Sequence, residues 1–296
     1  MFILPFDHRA SFGKIIGLKE PFSFRDRLMI KKYKRIVFDG FLKVYNRNLN
    51  LKKKLAILVD EQYGKRIIQI CRRKKINFLV TQEKSGQEVF DFEYGDNFKK
   101  HLVSIRPSYA KVLVRYNAEN KKSNKIQLAR LLKMSKFCEQ TGIGLLFELL
   151  VPPTAKQLKK CKNNLDKYNK ILRPKLTLTA LKEITDAGIW VDVWKLEPQL
   201  TSASWKNIIA LLKKQQTHDV EIVVLGQAGS KSQVKSWLRL GRQYKEVIGF
   251  AVGRTIFVEP LEFYRDKKIS RKKAVNIIAD EFECYVDLWL NTKVTK

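Results

Sequence analysis

The feature that constrains this chain most is a set of short apolar runs, rich in β-branched and aromatic residues, that recurs every 20 to 50 residues or so. Eight such runs stand out: residues 2–6, 55–59, 76–80, 112–114, 144–147, 189–193, 220–225 and 247–252. Between them lie stretches with apolar residues at helical spacing. Ile126, Leu128, Leu131, Leu132 and Met134 form one, and Trp205, Ile208, Ile209, Leu211 and Leu212 another. Strands that alternate with helices are joined by crossovers, so the sheet is parallel. Eight βα units in 296 residues, with no GxGxxG turn to mark a dinucleotide site, predict a closed (β/α)8 TIM barrel rather than an open doubly wound sheet. The long interval after the fifth run contains Pro152, Pro153 and Pro174, which predicts an extra helical insertion after strand 5.

At 45% hydrophobic content, and with no Pro/Gly/Ser-rich linker, the expectation is one domain over residues 1–296. The six-residue apolar start carries Pro5 and lacks a basic flank, so it does not read as a leader peptide. Nowhere do eighteen apolar residues run together, which argues against a membrane span. Cys71, Cys138, Cys161 and Cys284 lie far apart with no CxxC spacing. That fits inert, reduced thiols and predicts a cytoplasmic protein.

In a barrel of this kind the chemistry gathers where strands end, so the residues after each run are the informative ones. The first run leads into Asp7, His8 and Arg9, the second into Asp60 and Glu61, and the fourth into Arg115, Tyr116 and Asn117. Glu148 follows the fifth, and Lys195 and Glu197 the sixth. The seventh ends in Gly226, Gln227, Ala228, Gly229 and Ser230, and the eighth in Gly253 and Arg254.

Strand alternation puts residues 191, 193 and 195 on one face, and places Lys111 with Leu113 and Arg115. If those faces point into the barrel, two lysines are buried there, and each lowers the proton affinity of the other. A neutral lysine amine is a nucleophile for ketones. Glu148 and Asp7 are placed either to move protons or simply to pair the lysines. The glycine-bearing turns after strands 7 and 8, with Arg254, sit where barrels commonly hold phosphate.

A net charge of +30 is spread over basic runs such as Lys31 to Arg35 and Arg72 to Lys75 rather than held in one tail. It reads as a solvated surface that also attracts phosphorylated metabolites, and any nucleic-acid binding is expected to be non-specific and salt-sensitive. The only histidines are His8, His101 and His218, which gives little basis for a metal site. Neither a metal nor an organic cofactor is expected.

The blocks Asp7-His8-Arg9, Leu58-Val59-Asp60-Glu61-Gln62-Tyr63-Gly64, Lys111-Val112-Leu113-Val114-Arg115-Tyr116, Phe147-Glu148, Asp192-Val193-Trp194-Lys195-Leu196-Glu197 and Gly253-Arg254 occur in a recognisable order. Taken together they resemble the class I tagatose-1,6-bisphosphate aldolase family. The resemblance is greater to the DUF2090-type aldolase module of the 5-dehydro-2-deoxyphosphogluconate aldolases of inositol catabolism, and it covers nearly the whole chain. It implies Lys195 as Schiff-base lysine, with Lys111, Glu148 and Asp7 as catalytic partners. It also implies a phosphorylated sugar substrate, held by Arg254 at its phosphate.

By position, Arg9, Arg115, Gly226, Gln227, Gly229 and Gly253 are the remaining candidates for substrate contact. The turn after strand 7 departs from the Ser-Ala-Gly of the bisphosphate aldolases, so the resemblance leaves the sugar open. A barrel that has lost catalysis and serves as regulator or scaffold is the competing reading, and assembly into a homo-oligomer is compatible with the sequence.

Overall fold

In the computed structural model, which describes residues 1–292, eight parallel strands close into a barrel in sequence order. They are β1 (Phe2–Pro5), β2 (Leu55–Val59), β3 (Asn77–Thr81), β4 (Tyr109–Arg115), β5 (Gly144–Leu150), β6 (Val193–Leu196), β7 (Ile222–Leu225) and β8 (Val247–Ala251). β1 closes the ring by pairing with β8, Phe2 opposite Phe250.

Among the described residues, twelve α-helices surround the barrel. They are α1 (Ala10–Ile15), α2 (Phe24–Arg47), α3 (Glu61–Lys74), α4 (Phe98–Ile105), α5 (Lys121–Thr141), α6 (Ala155–Lys160), α7 (Leu165–Ile171), α8 (Arg173–Asp186), α9 (Ser202–Gln215), α10 (Lys231–Arg242), α11 (Arg254–Arg265) and α12 (Arg271–Asn291). The expected insertion after β5 consists of the short helices α6 and α7 ahead of α8. Among the described residues, no helix is long and apolar enough to cross a membrane.

The period of two along each strand sorts side chains into two cores. Ile3, Ala56, Leu58, Leu79, Leu146, Val193, Val223 and Ala251 fill the barrel interior. Their neighbours in sequence, among them Leu145, Phe147 and Trp194, face the helices and join the larger outer core. Helices form where caps support amphipathic runs. Ser23 and Asp26 form a capping box on α2, Thr154 and Gln157 one on α6, and Ser230 and Gln233 one on α10. α2 and α12 pack closely, and a Cβ on Gly40 would come within 2.6 Å of Ile278 Cγ2.

Three expectations need correction. β6 begins at Val193 rather than residue 189, because side chains supply most of the bonds that hold the preceding segment, whose Asp192 N–H alone reaches the β5 backbone, at Leu145 O. Trp190 exchanges hydrogen bonds with Ser135 Oγ at 2.7 and 2.9 Å, and Asp192 accepts from Leu145 N at 2.7 Å. β5 runs on to Leu150, so Lys195 and Glu148 lie within paired strands, directly opposite each other, rather than beyond their ends. The basic run at 31–35 is not wholly solvated: Lys34 is buried, donates to Phe6 O at 2.8 Å and pairs with Asp60. Burial pulls the Lys34 ammonium down and Asp60 pulls it back up, leaving it below the usual lysine value. Cys71, Cys138 and Cys161 are buried as expected, whereas Cys284 is exposed.

Candidate active site

At the C-terminal mouth of the barrel, side chains from seven strands or the loops that follow them line a cavity of ≈ 210 Å³. Lys195, Lys111 and Glu148 share the inward parity of Val193, Tyr109 and Leu146, so the ladder itself aims them at one point. Lys195 Nζ lies 2.9 Å from Glu148 Oε1, and the other oxygen of the same carboxylate lies 2.9 Å from Lys111 Nζ. Lys111 is also 3.0 Å from Asp7 and 2.6 Å from Glu83. Its three N–H donors therefore each have a carboxylate partner.

The pairing of the lysines by Glu148 and Asp7 that the sequence allowed is present, but the expected lowering of Lys111 by its neighbour is not, because Glu148 sits between the two lysines and Asp7 and Glu83 also reach Lys111. Lys111 and Lys195 are 1% and 4% exposed, and removing charges from water at that depth is tolerable only through such pairing.

The electrostatics follow from the packing. Burial alone would raise the Asp7 carboxyl, but Lys111, then His8 and Lys195, together hold it well below the carboxylate range. Burial likewise opposes Lys111 and Lys195 at Glu148, and the two ammonium groups prevail, so its carboxyl is lowered. At Glu83 burial wins and the carboxyl is raised despite Lys111. Burial also works against the Lys111 ammonium, but the three acids outweigh it and keep its affinity for the proton well above normal. Lys111 is thus a fixed cation. His8 lines the cavity with its Nδ1 enclosed and without a protein partner among the described residues. Burial pushes its imidazole down to about 4, so it is neutral near pH 7.

Of the residues expected to contact substrate, Arg9, Arg115, Gly226, Gln227, Gly253 and Arg254 all line the cavity. Arg9 is occupied, with Glu93 at 2.8 Å and the Glu83 carbonyl as partners, and it fixes the loop after β3. Arg115 donates to Gln87 O at 2.6 Å. Arg254 is exposed and makes no ion pair among the described residues. It opens α11, whose N-cap, Gly253, offers no side-chain cap, so the first amides of that helix are free to hold an anion. Only glycine fits at 253, because a Cβ there would sit 2.2 Å from Pro5 O.

Gly229 does not line the cavity. Its N–H is taken by Gly226 O at 2.9 Å, and a Cβ on it would meet the Trp237 ring. Between these glycines, Gln227 and Ala228 both have positive φ, 45° and 54°. Two positive φ values within an i to i+3 bond make a type I′ turn, which for residues bearing a Cβ costs roughly 1–2 kcal/mol each.

Two functional features went unseen in the sequence. Glu83 lies three residues past the third run, and reading that strand end as the others were read would have found it. Arg173, at the start of α8, reaches Glu197 at 3.0 Å from more than twenty positions away, and nothing local to it signals that role.

With the geometry established, comparison with known proteins adds the following. The family model described as "Uncharacterized protein conserved in bacteria (DUF2090)" matches residues 1–293. No curated protein matches the sequence.

Among solved structures, the fructose-bisphosphate aldolase of Plasmodium falciparum, solved in complex with TRAP and a small-molecule inhibitor, is similar with a TM-score of 0.67 at 13% identity. That match covers 98% of this chain and 90% of the aldolase. Cgl0159 of Corynebacterium glutamicum has a TM-score of 0.60 at 13% identity, covering 96% and 85% of the two chains. The YdjI aldolase of Escherichia coli K12 has a TM-score of 0.52 at 10% identity, covering 86% and 88%. At these identities the likeness is one of fold.

Proposed function

The chain belongs to the DUF2090 family, and from that premise we propose that it is a class I aldolase working through a Schiff base on Lys195. The observation that carries this reading is the row Lys195–Glu148–Lys111, in which two buried lysines share one carboxylate at 2.9 Å on each side. Glu148 can take a proton from the Lys195 ammonium and return it to the oxygen that leaves as water. The freed amine attacks the substrate ketone, and loss of water gives a cationic imine. Glu148 or Asp7 then accepts the proton of the β-hydroxyl. The carbon–carbon bond breaks, its electron pair moves into the imine to form an enamine, and an aldehyde departs. Protonation of the enamine and hydrolysis release the ketone product and restore Lys195.

Arg115, on β4, and Arg254, after β8, stand on opposite walls of an eight-strand ring, which supports a substrate charged at both ends. For 5-dehydro-2-deoxygluconate 6-phosphate, a carboxylate and a phosphate, the products are malonate semialdehyde and dihydroxyacetone phosphate. Tagatose 1,6-bisphosphate also meets that charge requirement, and comparison of kcat/KM for the two sugars separates them.

The deciding experiment is borohydride reduction in the presence of each sugar phosphate, followed by peptide mapping. A stable adduct on Lys195, lost together with turnover in Lys195→Ala, is the expected result. An adduct on another lysine, or a Lys195→Ala protein that cleaves at the wild-type rate, sinks the proposal.

A further inference from the structure

We propose that Arg173, the first residue of α8, is a positioning residue that holds the turn after β7 in its substrate-facing shape. The inference rests on the aldolase reading only in taking that turn to be part of the substrate site. Gln227 and Ala228 keep left-handed φ values of 45° and 54° although each carries a Cβ. A turn of that type ordinarily takes Asn and Gly, so something outside it must hold it.

The side chain of Gln227 supplies the connection. Its Nε2 donates to Glu197 Oε1 at 2.8 Å, and its Oε1 faces Arg173 Nη1 at 3.5 Å. Arg173 in turn donates to Glu197 Oε1 at 3.0 Å and to Pro198 O at 2.9 Å. The second oxygen of Glu197 accepts from Val151 N at 2.8 Å, just past β5.

One guanidinium thus ties together the ends of β5, β6 and β7. Gln227 and Ala228 line the cavity, whereas Arg173 and Glu197 lie behind it, buried to 3% and 8% exposure. Arg173 therefore acts through the turn and not on substrate. Without it, Glu197 loses its counter-charge in a setting where burial already pushes its carboxyl up, and Gln227 loses a partner. The strained turn is then free to relax.

The test combines Arg173→Ala with Ala228→Gly, a change that removes the Cβ strain while leaving the Gln227 handle. In Arg173→Ala, exchange of the Gly229 amide should speed up about tenfold or more, and KM for the phosphorylated ketose should rise about tenfold, as expected for loss of a charged hydrogen bond. kcat should stay within about threefold. Adding Ala228→Gly should recover most of both losses, which a merely structural role would not do.

Arg173→Lys keeps the charge but cannot reach every partner at once. If the alanine variant fails to fold, the lysine variant should show the same changes in smaller measure. Unchanged Gly229 exchange, or barrel-wide loosening that Ala228→Gly does not rescue, overturns the proposal. Absence of a trapped adduct in the wild-type protein is a failure of the aldolase reading instead, and the exchange result still decides what Arg173 does.

Discussion

Replacing Lys111 with methionine removes the ammonium that Asp7, Glu83 and Glu148 share at 3.0, 2.6 and 2.9 Å, and leaves three buried carboxylates with no central cation. Removing one partner from a buried ionic cluster costs about 3–5 kcal/mol. At about 2–3 °C per kcal/mol for a chain of this size, the melting temperature should fall by roughly 6–15 °C near pH 8.

The pH dependence gives a sharper test. In the wild type, Asp7 and Glu148 have lowered proton affinities. Their contribution is present above the unfolded carboxyl value of about 4 and is lost as pH falls through the folded values. In the variant, burial and mutual repulsion dominate, and at least one carboxyl rises above its unfolded value. Such a group binds its proton more tightly when folded, so stability declines as pH rises from about 4 through the new folded value. The deficit relative to wild type should therefore be large at pH 8 and shrink toward pH 4.5.

Glu83→Gln should restore stability to the Lys111→Met protein while costing the wild type, because the same charge repels in one background and pairs in the other. Thermal unfolding of the four proteins at pH 4.5, 6 and 8 measures all of this. A deficit independent of pH, or a Lys111→Met protein as stable as wild type at pH 8, would refute the reasoning.

Two further outcomes concern the Arg254 end of the cavity. Arg254→Ala should lower kcat/KM for a phosphorylated ketose by about ten- to a hundredfold, mostly through KM, and an unchanged value would remove Arg254 from the site. Gly253→Ala places a Cβ 2.2 Å from Pro5 O and should cost about 1–3 kcal/mol in urea unfolding. Gly226→Ala, which meets Val252 at 3.3 Å, serves as the milder comparison, and equal effects at the two positions would show that the close approach at 253 is not what demands glycine.

Local patterning carried the reading far because a barrel repeats one local rule eight times: an apolar run makes a strand, and the residues at its end face the mouth. Seven of the eight runs fall largely on strands and the sixth meets its strand only at Val193, while Asp7, Lys111, Glu148, Lys195, Arg115 and Arg254 all reach one cavity. Placement along β6 was less legible. Ile189 and Val191 look like strand residues, but Ser135 and Asp192 capture the backbone there, and only packing reveals that competition. Gly229 was misplaced for a similar reason, since a glycine's sequence position does not say whether its amide faces the cavity or closes a turn.

The amino-acid sequence by itself thus determined the alternation, the parity that turns Lys111 and Lys195 inward, and two of the acids within their reach, Asp7 and Glu148. Those follow from periodicity, a property of the chain over a few residues. The tertiary structure alone decided which charges meet. It set Glu148 between two lysines, brought Glu83 against Lys111, and carried Arg173, at the start of α8, to the back of the turn after β7. Electrostatic energy depends on separations of a few ångströms between groups far apart along the chain, and closure of the barrel is what sets those separations.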